Sequence, residues 1–176
     1  MNGNSMKEKL EYTFSNVNEW LKYSEAKSGV LLTLNGAVLM VFISIMKDTS
    51  GSLKNSLNWG LFPTFTISLI ILLISFLPIR DKFFKRKHDL SNITLENINL
   101  IYFGDLRKLT VPTYLNLLYQ SYKKEIPESF EKTENDLAQQ ILNNSAIAYR
   151  KLSLFTISAY IDFLGVLIGI LIFILT

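Results

Sequence analysis

Asp162 is the one charged residue between Leu152 and Thr176. It lies in line with Ser158, Gly165 and Gly169, at spacings of four, three and four, so the four residues share one stripe of a helix. Gly165 and Gly169 form a small-xxx-small surface of the kind that lets two helix backbones approach closely. At a rise of about 1.5 Å per residue, Asp162 is roughly 16 Å into an apolar helix, near the middle of a bilayer. Carboxylates at that depth face other helices or a water-filled path and mark function. The stripe therefore reads as a helix interface with two outcomes. Copies of the chain assemble around it and Asp162 lines a conduit, or Asp162 is protonated or bonded to a polar partner such as Asn35.

A second group combines rings and cations. From Arg80 to Lys124 there are nine Lys or Arg against four Asp or Glu, a difference of +5, and Tyr102, Phe103, Arg107 and Lys108 fall within this basic part. Such a set suits a nucleotide, with charge-assisted bonds to phosphate and stacking on a base. Its ordinary alternative is a cytoplasmic face near lipid headgroups. Classical catalytic patterns are missing. His88 is the single histidine, there is no cysteine, and no Gly-rich phosphate loop or metal-ligand spacing occurs. An enzyme is not expected, nor a cofactor, nor a metal.

Three stretches free of charge must position these groups. No Asp, Glu, Lys or Arg occurs between Lys27 and Lys47 or between Lys54 and Arg80, and Asp162 alone interrupts the last stretch. Each is long enough to cross a hydrocarbon core of about 20 residues. Apolar residues make up 49% of the chain, and its mean hydropathy is positive. Glu8, Glu11, Glu19 and Glu25 precede the first stretch, which argues against a signal peptide and for a retained anchor. Lys and Arg number four before the first stretch, two after it and twelve from Arg80 to Lys151. The positive-inside rule then predicts a cytoplasmic N-terminus and insert and an external C-terminus. The expected fold is an all-α membrane protein. It has an amphipathic helix at 1–27, spans at 28–46, 57–79 and 152–176, an external loop at 47–56 and a helical cytoplasmic insert at 80–151.

Leu10, Phe14, Val17 and Leu21 recur at helical spacing and form the apolar face of the first helix. In the insert, Thr110 and Pro112 predict an N-cap and a first-turn proline for a helix through Tyr122, which Pro127 then breaks. Another helix is expected from about Ser129, with Glu128, Glu131 and Glu134 at the positive end of its dipole. It has no Gly or Pro before the third span and can enter it unbroken. Residues 91–105 read as helix or extended loop, with Gly104 at a turn.

The order of short motifs resembles a known family. Ser24-Glu25-Ala26-Lys27 precedes the first span, Leu34-Asn35-Gly36 lies within it, Tyr102-Phe103-Gly104-Asp105 is in the insert, and Tyr149-Arg150-Lys151-Leu152 starts the third span. Together they resemble the small transmembrane effectors of Pycsar, the bacterial pyrimidine cyclase system of antiphage defence. Two departures stand out: the family often has Asp where this chain has Glu25, and either Arg150 or Lys151 can fill its basic position. The resemblance implies a partner cyclase that makes cyclic CMP or cyclic UMP, binding of that messenger by the insert, and disruption of the inner membrane. The expected partners are the bilayer, the cyclic nucleotide and further copies of the chain, with no nucleic acid polymer. The competing class is a membrane assembly subunit or a holin-like pore former without a nucleotide ligand.

Overall fold

The computed structural model describes residues 6–48, 61–77 and 94–175, and among these every regular element is helical. The elements are α1 (Met6–Asp48), α2 (Phe62–Phe76), α3 (Phe103–Leu106), α4 (Val111–Ser121) and α5 (Lys132–Leu175). The expected amphipathic segment and first span are one uninterrupted helix of 43 residues, with Glu8 in its first turn and Lys47 in its last. Both charges complement the helix dipole. At both ends of the chain the sequence lacks proline, so nothing breaks the 44-residue α5 either. Two helices, within Met6–Lys47 and Lys132–Ile172, are long and apolar enough to cross a membrane, while α2 is apolar but shorter. His88, the start of the basic insert and most of the proposed external loop lie outside the described residues.

The chain divides into two units, Met1–Tyr23 with Ile79–Arg150, and Ser24–Pro78 with Lys151–Thr176. In the first, Leu10 and Val17 of α1 are fully buried, as are Leu106, Leu109, Tyr114, Leu115, Ile141 and Leu142. Phe14 and Leu21 are only half-buried, and Thr13 takes a buried place on the same face. Asn144 Nδ2 donates to Asn18 Oδ1 at 2.7 Å, and Asn16 Nδ2 donates to the Ile101 carbonyl at 3.2 Å. These side-chain bonds fix the register of α1 against α5 and the 94–101 segment.

Local chemistry sets the boundaries of α4 and α5. Thr110 caps α4 by accepting from the Thr113 amide at 3.4 Å, with proline in the first turn. The helix ends at Ser121, before Pro127. Lys123 adopts φ 53°, and the Lys124 amide donates back to the Tyr119 carbonyl at 3.1 Å. This is a left-handed C-terminal stop normally given to glycine. A lysine there costs roughly 1–2 kcal/mol. α5 starts at Lys132, three residues after Ser129, because Glu134 Oε2 accepts from the Glu131 amide at 3.3 Å and closes its first turn.

The second unit packs the Ser24–Asp48 part of α1, α2 and the part of α5 from Lys151. Asn35, Ser68, Ser75, Ser158 and Asp162 are buried there amid apolar side chains, together with Phe65 and Leu72. Val30, Met40, Ile67, Phe163, Leu171 and Ile174 face outward. An apolar exterior around a polar interior reverses the soluble pattern and suits a lipid solvent.

Candidate functional site

In the first unit the Tyr102-Phe103-Gly104-Asp105 motif builds a compact corner. Asn99 Oδ1 accepts from the amides of Ile101 at 2.9 Å and Tyr102 at 3.1 Å. Asp105 returns the bond, its Oδ2 accepting from the Asn99 amide at 3.2 Å. Its Oδ1 accepts from Lys108 Nζ at 2.6 Å. Burial acts to raise the Asp105 pKa, but the Lys108 ammonium, the Asn99 amide and the Arg107 charge outweigh it and hold the carboxyl below its ordinary value. Gly104 is buried in α3. A Cβ there would stand 2.7 Å from Cζ of the Tyr102 ring, so the ring packs where a side chain would be.

The four residues expected to hold a nucleotide have separate placements. Phe103 is 4% exposed and packs on Trp20, with ring centroids 5.2 Å apart. Its faces are committed to the core. Arg107 lies over the ring of Tyr149, its Cζ 3.5 Å from the centroid, which ties α3 to α5 by a cation–π contact. Lys108 is paired with Asp105. Tyr102 is partly exposed.

Asn99, which is bonded to this corner, and Ile101 line an open cleft of about 730 Å³. Glu8, Lys9, Tyr12 and Thr13 of α1 face it from one side, Leu95 and Ile98 through Ile101 from another, and Leu118, Ser121 and Tyr122 close it. Tyr12 is 64% exposed. Lys9 Nζ lies 5.0 Å from the Tyr122 ring centroid. Lys9, Tyr12 and Asn99 were not legible as site residues. The one signal in the sequence was Asn99 standing six residues before Asp105, a spacing that has meaning only once the loop folds back.

In the second unit, Asn35 Nδ2 donates to Ser68 Oγ at 2.7 Å. Ser68 Oγ donates to the Ser158 carbonyl and Ser158 Oγ donates to the Ser68 carbonyl, each at 3.3 Å. This polar seam joins α1, α2 and α5. Asp162 is 7% exposed, with Asn35 and Ser68 as its polar neighbours. Among the described residues neither of its oxygens makes a well-formed hydrogen bond. A Cβ on Gly165 would stand 2.6 Å from Thr64 Oγ1, and one on Gly169 would stand 3.1 Å from Leu61 Cδ2. The glycine stripe thus receives α2 of the same chain. Ser68, in the mostly apolar α2, was the overlooked signal for this seam.

The remaining motif residues meet at the start of the third stretch. Lys151 Nζ pairs with Glu25 Oε1 at 2.6 Å and lies 5.6 Å from the Phe76 ring centroid. Lys27 Nζ lies 5.3 Å from the ring centroid of Phe155. Lys151 therefore supplies a basic partner for Glu25. Arg150 keeps interactions of its own, and burial lowers its pKa from the ordinary value.

The family model for the Pycsar effector protein domain matches residues 9–176, a range that takes in both units and every motif named above. The chain belongs to the Pycsar effector family. No curated protein matches it, and no solved structure does. Membership supports a role for this Pycsar effector in antiphage defence. Together with the two long apolar helices, it also supports a location in the membrane.

Proposed function

We propose that this Pycsar effector senses a cyclic nucleotide of the cyclic CMP or cyclic UMP type through its first unit and, when it binds, disrupts the inner membrane and ends the infection. The observation that carries the proposal is the family match across residues 9–176, which reaches into both units of the chain. In this reading α1, α2 and α5 are three spans, the N-terminus and insert are cytoplasmic, and the C-terminus is external. The chain is not an enzyme, takes no cofactor or metal, and binds no nucleic acid polymer.

Binding in the first unit acts through α3. Asp105 lies in α3 and Arg107 directly follows that helix, and Arg107 rests on Tyr149, two residues before Lys151 on α5. A shift of this corner alters the helix that carries Lys151, Ser158 and Asp162. The ligand drives the change only to the extent that it prefers the active arrangement. Because α2 covers Gly165 and Gly169 in the resting chain, assembly of copies through that stripe requires α2 to move aside. Asp162 then meets the partner copies and lines the conduit.

The test is leakage of dye from liposomes holding the purified chain, titrated with a panel of cyclic mono- and dinucleotides. Release that saturates with one cyclic mononucleotide is the expected result. Release that is the same with no nucleotide present would favour the ligand-free pore former.

A further inference from the structure

We infer that the cleft between the start of α1, the 94–101 segment and the end of α4 is a binding site for a pyrimidine mononucleotide. Tyr12 and Tyr122 face the base and Lys9 faces the phosphate. The inference rests on the sensing function proposed above and assigns its location, which differs from the basic aromatic group legible in the sequence.

Three observations carry it. The cleft's volume of about 730 Å³ is in the range of small-ligand sites, and its floor of Leu118, Leu95, Ile98 and Leu100 is apolar, as such sites usually are. Two tyrosines, Tyr12 64% and Tyr122 43% exposed, turn ring surface to it, and exposed rings are the means by which proteins hold single bases. By contrast, Phe103 is buried in the core and the Arg107 guanidinium already covers a ring.

Two charged residues line the cleft, Glu8 and Lys9. Lys9 Nζ, 5.0 Å from the centre of the Tyr122 ring, can exchange its contact with the π face for a charge-assisted bond to phosphate. Lys123 follows Tyr122 in a left-handed conformation where glycine is the usual choice. Asn99 lines the same cleft and is bonded to Asp105, so an occupant of the cleft presses directly on the motif corner.

The experiment is calorimetric titration of the full chain in detergent with cyclic CMP and cyclic UMP, with inorganic phosphate as the control. Tyr12→Ala and Tyr122→Ala are expected to weaken binding about tenfold or more. Tyr12→Phe should stay near the unaltered chain, since it keeps the ring. Lys9→Gln should weaken binding roughly tenfold, and Lys9→Arg should restore it. Tyr12 and Tyr122 are exposed and Lys9 is half-buried, so circular dichroism should report an intact fold in each variant. Binding that all of these variants retain would overturn the cleft and leave the sensing function standing. No binding of either nucleotide by the unaltered chain would overturn both.

Discussion

Glu25 and Lys151, 126 positions apart in the chain, meet at 2.6 Å, with the Lys151 side chain only 13% exposed. The pair clasps α1 to α5 where the apolar part of each begins. Glu25 is half exposed, so the bond is worth no more than about 1 kcal/mol. Glu25→Gln and Lys151→Met should each lower stability, and a double-mutant cycle should return a coupling of about 0.5–1 kcal/mol. The exchanged pair, Glu25→Lys with Lys151→Glu, should recover part of it. A coupling of zero in thermal melts would show that the contact does not hold the helices.

Asp162 is the sharpest probe of the membrane event. Asp162→Asn keeps the shape and removes the charge, whereas Asp162→Leu removes the polarity as well. Both should abolish nucleotide-dependent leakage while leaving helix content unchanged, if the carboxylate lines the conduit. Undiminished leakage from both would assign Asp162 to packing alone.

Gly165 tests the seat of α2. A side chain at this position meets Thr64 Oγ1, itself held to the Leu61 carbonyl at 2.7 Å. Gly165→Val should therefore cost about 1–3 kcal/mol through overpacking. Gly169→Ala meets the more adaptable Leu61 and should cost less. Chemical denaturation in detergent ranks the two, and the opposite order would sink the argument.

Arg107 and Tyr149 supply a probe within the first unit. Arg107→Lys keeps the charge but loses the flat guanidinium that lies on the ring. It should destabilise this unit by about 0.5–1 kcal/mol, with Tyr149→Leu costing a similar amount and the two effects not adding. Strict additivity in urea melts would deny the contact an energetic role.

Asp105 makes the first unit sensitive to acid. Its pKa is lower in the folded chain than in the unfolded one, so its contribution is fully present above the unfolded value of about 4. It is lost as pH falls through the folded value. Asp105→Asn should flatten the acid side of the stability profile below about pH 4 and leave neutral pH with a constant deficit. An unaltered acid slope would mean that other carboxylates carry it.

The absence of charge over three stretches was enough to assign an all-helical, membrane-directed chain, because the cost of burying backbone and charge in hydrocarbon is imposed residue by residue along the sequence. Thr110, Pro112 and the early glutamates of α5 were legible for the same reason, since caps act within one turn. The unbroken path of α5 was also visible from the lack of Gly and Pro. In contrast, Lys123 stops α4 four residues before Pro127 through a backbone conformation that side-chain type does not announce. Phe103 looked like a base-stacking ring, and only packing against Trp20 placed it in the core. Glu25 with Lys151, Asn35 with Ser68, and Asn99 with Asp105 were all present as residue types. Which of them meet was decided by tertiary structure, because hydrogen bonds and ion pairs reach only about 3 Å, and that proximity is made by chain reversals, not by spacing.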